Sequence, residues 1–406
     1  MKVLFLTLLE FDSLNERNIY TDLLREFVKN GHEVCVISPA ERREGIATHF
    51  VRENNVEILR LKIGNIQKTN VIEKGISTVL LESQYIKAIK KYFSSVRFDL
   101  VLYSTPPITL VGAIEYVKRR DGARTYLLLK DIFPQNAVDI GMMSPDGLLY
   151  KHFKKQEQRL YSVSDRIGCM SRANVEYLLA HNPDIDQDAV MVCPNSVDPI
   201  DLRLGEADRV RLREKYGIPL DRTVFVYGGN LGKPQCIPFV IECLKACREI
   251  NEAFFLIVGD GTEYGKLAGY IAEEKPANVK LMRRLPKEDY DRMIGACDVG
   301  LIFLDYRFTV PNFPSRLLGY MQAGLPVLAA TDESSDIGRT VTEGGFGWRC
   351  CSDGPERFAK VVRDAVFSDL KPMKEKGYRY LVDHYGVDTG YKIIMNGAGY
   401  NENISE

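Results

Sequence analysis

The stretch FPSRLLGYMQAGLPVLAA, residues 313–330, holds a loop, a helix and a strand in succession. Pro314 bars a helix before it, and Ser315 suits the N-cap. The run with Leu317, Leu318, Tyr320 and Met321 is helix-compatible, Gly324 closes it, and residues 326–330 read as a buried strand. The first N–H groups of such a helix lack partners inside it, so its end attracts anions; Arg316 adds planar, forked donors that suit phosphate. A diphosphate cradle is one reading of the stretch. An ordinary capped helix is the other.

Outward from this stretch, the same alternation fills the second half of the chain. Strands are expected at 223–227, 253–258, 279–282 and 299–304, with helices at 236–250, 263–274 and 287–296. The first half alternates likewise, with strands at 3–9, 33–37, 56–61, 99–103, 125–129, 166–170 and 189–193. Its helices are expected at 16–30, 74–93, 108–119, 146–161 and 172–179. Continuous apolar runs such as LVLY, 100–103, imply strands covered on both faces, hence parallel sheets. At CPNSVDP, 193–199, strand character stops in turn residues before a charged helix at 205–216. That places a boundary between a domain of residues 1–198 and one of 199–385. After Trp348 only helices are expected, and the last, about 386–398, is expected to pack back on the first domain.

With 406 residues, 45% of them hydrophobic, the chain can bury two ordinary cores. A formal charge of −1 offers no global basic field, so no nucleic-acid partner is expected. Nine cysteines without CxxC spacing indicate a reducing, cytoplasmic setting. The apolar start, 3–9, is ended by Glu10 and Asp12 with no small-residue cleavage site, and reads as a core strand rather than a signal peptide.

The strand ends carry the chemistry. GGNLGKPQ, 228–235, follows one strand directly; its glycines let backbone N–H groups approach a phosphate, and Lys233 adds charge there. VGDG, 258–261, has the same character, and for both a purely structural turn stands as the alternative. RRLP, 283–286, and DYR, 305–307, fall at the sheet rim, where ligands of such sheets bind and where charges also simply meet water.

In order and spacing these motifs, with ACDVGLIFL at 296–304 and PSRLLGYMQAGLPVLA, resemble the family 4 nucleotide-sugar glycosyltransferases of the GT-B fold. The similarity is closest to the bacterial subgroup that builds capsule and O-antigen chains. There PSK precedes the helix, here Pro314-Ser315-Arg316, and an Asp-aromatic-Pro segment occupies the first domain, here KDIFPQN at 130–136.

The resemblance implies an α/β fold of two Rossmann-like domains facing each other across a central cleft. It implies transfer of a sugar, with retention, from a nucleotide-sugar donor, expected to be UDP-linked, to a glycan or polyprenyl-diphosphate-linked acceptor. Gly229, Asn230, Leu231, Gly232 and Lys233, with Pro314, Ser315, Arg316 and Leu317, would hold the diphosphate; Gln235 would sit beside it. Arg283, Arg284 and Leu285 would flank the nucleobase, and Asp305 would join the donor side. Lys130 stands where many relatives carry a sugar-contacting His, Asp131 faces the same cleft, and Asn195 and Asp198 match the family's Asn-x-x-Asp turn. The chain departs from the family at Pro311 and Gly319, where relatives often carry glutamates, and at Leu9-Glu10-Phe11-Asp12, where a Gly-Gly turn is usual.

Such a transfer needs a stabilised leaving diphosphate and a stabilised cationic, sugar-like transition state. Arg316, Lys233 and the helix dipole can serve the first need without metal. Asp131 can serve the second or act as base toward an acceptor hydroxyl, with a turn-capping role as its alternative. No metal or cofactor is expected: DIDQD, 184–188, contains a DxD pattern but reads as a surface turn, and the five histidines form no cluster. Two segments, 85–93 and 148–155, mix basic and apolar residues. Helices packing one face on a sheet explain both, while a contact with the inner membrane surface through Lys90, Lys91, Lys154 and Lys155 is the sharper reading. A sugar-nucleotide epimerase of the same fold and an inactive nucleotide-sugar-binding scaffold are the rival functions.

Overall fold

The computed structural model describes residues 1–53, 55–66 and 71–400. It divides into two compact units, Met1–Asp198 with the chain from Val387 onward, and Pro199–Gly386.

In the first unit β1 (Lys2–Leu6), β2 (Glu33–Glu41), β3 (His49–Glu53), β4 (Val56–Ile63), β5 (Leu100–Ser104), β6 (Arg124–Leu129), β7 (Arg166–Cys169) and β8 (Val190–Val192) form one sheet. Its order is β3-β4-β2-β1-β5-β6-β7-β8. Neighbours pair in parallel except β3, which runs antiparallel to β4 at the edge. The helices are α1 (Ile19–Lys29), α2 (Val71–Tyr92), α3 (Val111–Asp121), α4 (Gln135–Asp139), α5 (Leu148–Val163) and α6 (Arg172–His181). Strand β5, LVLYS, is buried throughout because helices cover both faces of a parallel sheet. Helix α1 begins where Asn18 accepts the N–H groups of Tyr20 and Thr21, and it buries Leu23, Leu24 and Phe27 at helical spacing.

The second unit holds β9 (Thr223–Asn230), β10 (Ala253–Asp260), β11 (Val279–Met282), β12 (Val299–Phe303), β13 (Val327–Thr331) and β14 (Gly347–Cys351). They form a parallel sheet in the order β11-β10-β9-β12-β13-β14. Around it lie α7 (Glu206–Tyr216), α8 (Ile237–Ala246), α9 (Tyr264–Glu274), α10 (Lys287–Gly295), α11 (Arg316–Gln322), α12 (Ile337–Glu343), α13 (Pro355–Val366) and α14 (Leu370–Tyr385). Rings of Phe225 and Phe255 stack at 5.3 Å, and Phe303 meets Phe358 at the same distance, so α13 closes one face of the core. Asp298, just before β12, accepts from Arg213 at 2.6 Å, Arg209 at 2.7 Å and the Val224 N–H at 2.8 Å, which fastens α7 to the sheet.

Strand β14 corrects the expectation of helices alone after Trp348. Among the described residues it pairs only with β13, and it is partly exposed, so GWRCC lacks the apolar run of an interior strand. The final helix, α15 (Val387–Gly397), belongs to the first unit. There the Tyr391 hydroxyl lies 2.8 Å from His32 Nε2, its ring meets Phe27 edge-on at 4.9 Å, and Ile394 and Met395 are buried. No helix among the described residues is long and apolar enough to cross a membrane.

Candidate functional site

The second unit gathers the predicted donor residues at the carboxyl ends of β9, β10, β11 and β12. Strand β9 runs on through Gly228, Gly229 and Asn230, in register with Val258, Gly259 and Asp260 of β10. Much of the glycine turn is therefore sheet. The Leu231 N–H donates to the Asp260 carbonyl at 2.9 Å, and the Gly232 N–H and the Asn230 amide both donate to Gln235 Oε1 at 3.2 Å. Buried Gln235 thus closes the loop from inside, and these N–H groups are spoken for. Gly261 packs so closely on Leu231 that a Cβ there would lie 2.3 Å from the Leu231 carbonyl oxygen. Backbone contact between loops explains the VGDG turn.

What the loop leaves open lies beside Gly229, whose φ of +126° favours glycine. A Cβ there would lie 3.7 Å from Arg316 Cζ, so the guanidinium stands directly against this residue. It also lies 4.4 Å from the centre of the Tyr227 ring. Tyr227 in turn donates to the Asn230 carbonyl at 2.7 Å, and Tyr320 accepts the Gly228 N–H at 3.2 Å. Within this frame Arg316 Nη1 is buried and has no hydrogen-bond partner among the described residues. A buried, charged donor without an acceptor is costly, and an anion satisfies it. Exposed Lys233 belongs to the same loop.

The helix that follows departs from its sequence reading. Ser315 is exposed, has helical dihedrals (φ −63°, ψ −15°) and makes no side-chain cap; α11 is a short helix of 7 residues. The Leu317 N–H donates to the Pro314 carbonyl at 3.2 Å and the Leu318 N–H to that of Ser315 at 3.1 Å. A tight turn consumes these amides, which leaves the Arg316 side chain as the open donor of this stretch.

Asp305 is also corrected: it is fully buried rather than at the rim. It binds Arg307 through Nε at 2.9 Å and Nη2 at 2.6 Å, while its N–H holds the Pro234 carbonyl at 2.9 Å. Burial opposes its ionisation, but the Arg307 guanidinium and N–H keep its carboxyl below the usual range. It ties the β9 and β12 loops together. The other end of the 305–315 loop is held by residues that the sequence did not single out. The Asn312 N–H donates to Ser335 Oγ at 2.9 Å, and Asp332 accepts the Ser335 hydroxyl at 2.9 Å and N–H at 2.7 Å. Burial pushes the Asp332 carboxyl up to about 6. Arg283 pairs with Asp260 and lies 3.6 Å over the Tyr264 ring, Arg284 is exposed with its N–H on Asp260 at 3.2 Å, and Leu285 is partly buried beside them. A side chain at Gly319 would meet nothing within 4 Å, so the position has room for a larger residue.

In the first unit Lys130 and Asp131 follow β6, and both of their N–H groups donate to Thr105 Oγ1, at 2.9 and 3.1 Å. Lys130 lines a pocket with Tyr20, Cys193, Asn195, Ser196 and Gly390. Burial lowers its ammonium to about 8, and burial raises the Asp131 carboxyl to about 6 although Lys130 opposes the shift. In that pocket Asn195 Oδ1 is buried without a hydrogen-bond partner among the described residues, whereas Asp198 joins Asp22 and Arg25. The Leu9–Asp12 turn is anchored by Arg60, wholly buried, which pairs with Asp12, with Glu10 at 2.8 Å and with Glu44 at 3.5 Å. In the DxD segment Asp186 accepts the Asp188 N–H at 3.0 Å, a local turn contact.

Residues 18–200 match the family Glycosyltransferase Family 4, and residues 208–379 match Glycosyl transferases group 1. The chain is 24% identical over 316 residues to "Probable glycosyltransferase WbjE" of Pseudomonas aeruginosa, covering 77% of this chain and 76% of the relative. Among solved structures, HepE of Anabaena in complex with UDP superposes with a TM-score of 0.68 at 16% identity, over 99% of this chain and all of that one. WaaG, a glycosyltransferase involved in lipopolysaccharide biosynthesis, gives 0.69 at 14% identity, over 98% of this chain and 100% of its own. The two family matches follow one another along the chain as its two units do, and together they span most of it. The chain belongs to the family 4-like glycosyltransferases of the GT-B fold, two parallel-sheet Rossmann-like units in one polypeptide.

Proposed function

We propose that this transferase takes its sugar from a UDP-linked donor and passes it, with retention, to a glycan or lipid-linked glycan of a cell-surface polysaccharide, working at the cytoplasmic face of the membrane. The observation that carries the donor half is the buried, unpartnered Arg316 Nη1 beside Gly229. There the diphosphate accepts from Arg316, with Lys233 adding charge and Arg283, Arg284 and Leu285 flanking the base. The sugar–phosphate C–O bond breaks, UDP leaves with the electron pair, and the acceptor oxygen bonds the anomeric carbon. Two cationic side chains compensate the leaving diphosphate, so the reading requires no metal or cofactor. Asp131, as carboxylate, stabilises the cationic sugar or takes the hydroxyl proton. HepE with UDP and WbjE by its name support the donor and the transferase class.

Incubation with radiolabelled UDP-sugars, with and without a bacterial lipid extract, tests this. Label moving to lipid with release of UDP is the expected result. Interconversion of free nucleotide sugars would instead mark an epimerase, and binding without turnover a scaffold.

A further inference from the structure

Two segments of the first unit mix lysines with apolar residues, and the structure separates them. Along α2 and just after it, Tyr85, Ala88, Ile89 and Phe93 are buried, and Lys90 lies 5.0 Å over the Tyr116 ring. That segment is a packed helix face. The start of α5 is different. Leu148 is 85% exposed and Leu149 58%, and Met142 in the preceding loop is 60% exposed.

Helical geometry fixes which residues accompany them. The inward face of α5 carries Tyr150, bonded to Gln135 at 3.2 Å, Phe153, edge-on to Phe133 at 5.0 Å, and Lys154, paired with Glu157 at 2.5 Å. One hundred degrees per residue then turns Leu148, Lys151, His152 and Lys155 to the opposite face, where Lys151, His152 and Lys155 are exposed. Neither Lys151 nor Lys155 has an ion-pair partner among the described residues. An exposed apolar helix tip followed at once by unpaired cations matches the profile of a bilayer interface: acyl chains below, anionic headgroups above.

We infer that Met142, Leu148 and Leu149 insert into an anionic bilayer surface and that Lys151 and Lys155 pair with its headgroups. Lysine-lined chemistry favours this occupant over a second copy of the chain, whose matching patch would present the same charges. The inference rests on the lipid-linked acceptor reading for its purpose, since it would hold the first unit at the surface that carries such an acceptor. Its geometry stands independently.

The test is flotation of the full chain with vesicles of phosphatidylcholine alone or with phosphatidylglycerol, at low salt. The protein should float with the anionic vesicles, and both L148N/L149N and K151E/K155E should reduce the bound fraction by about tenfold. UDP titration of the same variants should match the wild type, which keeps a failure of the donor reading distinct from a failure here. Wild-type protein that stays unbound, or variants that bind anionic vesicles equally well, would overturn the inference. So would a dimer seen by light scattering that L148N/L149N dissolves, because a second copy would then cover the patch.

Discussion

Asp131 and Lys130 make the pH behaviour specific. If Asp131 works as a carboxylate and Lys130 as an ammonium, turnover rises with pH through about 6, where Asp131 ionises, and falls through about 8, where Lys130 loses its proton. A kcat–pH profile should therefore be bell-shaped; Asp131→Asn should remove the acid limb, and an acid limb that survives it would exclude the assigned role. Gly319→Ala should raise stability by about 0.5–1 kcal/mol in a urea titration, because the site is open and a helical glycine is costly. At this scale the sequence showed which residues gather but not which way they point. Arg316 was legible from its place after Pro-Ser at the start of a helix. Asp305 and Gln235 share the same strand-end address yet turn inward, because Arg307 and the Gly232 N–H claim them.

The elements around the donor loops are held by side chains that no motif announces. Asp298 receives two arginines and one backbone N–H, so Asp298→Ala should cost about 3–5 kcal/mol by leaving Arg213 buried without its partner. Chemical denaturation measures it directly. Ser335→Ala, by contrast, frees the Asn312 N–H and loosens the loop that leads to Arg316. UDP affinity in a calorimetric titration should fall about two- to tenfold, the range of one neutral hydrogen bond. The interior strands were readable because their apolar runs have no other use. Strands β3 and β14 were not: their sequences, HFVRE and GWRCC, mix charged with apolar residues and offer no apolar run.

Across the whole molecule, alternating strands and helices twice fill a parallel sheet, and that repetition was plain in the sequence. The antiparallel edge and the path of α15 depend on contacts distant in sequence, such as Tyr391 with Phe27. A chain ending at Gly386 should lose the burial of Tyr391, Ile394 and Met395 and lower the stability of the first unit, while limited proteolysis finds the second unit still resistant. The donor diphosphate is proposed to rest on Arg316 of the second unit, and calorimetric titration with UDP tests this most directly. Wild-type protein should bind, and Arg316→Ala should weaken binding by about ten- to a hundredfold at unchanged melting temperature, as expected for a lost charge-assisted contact. Equal affinity of the two proteins for UDP would contradict the diphosphate role of Arg316.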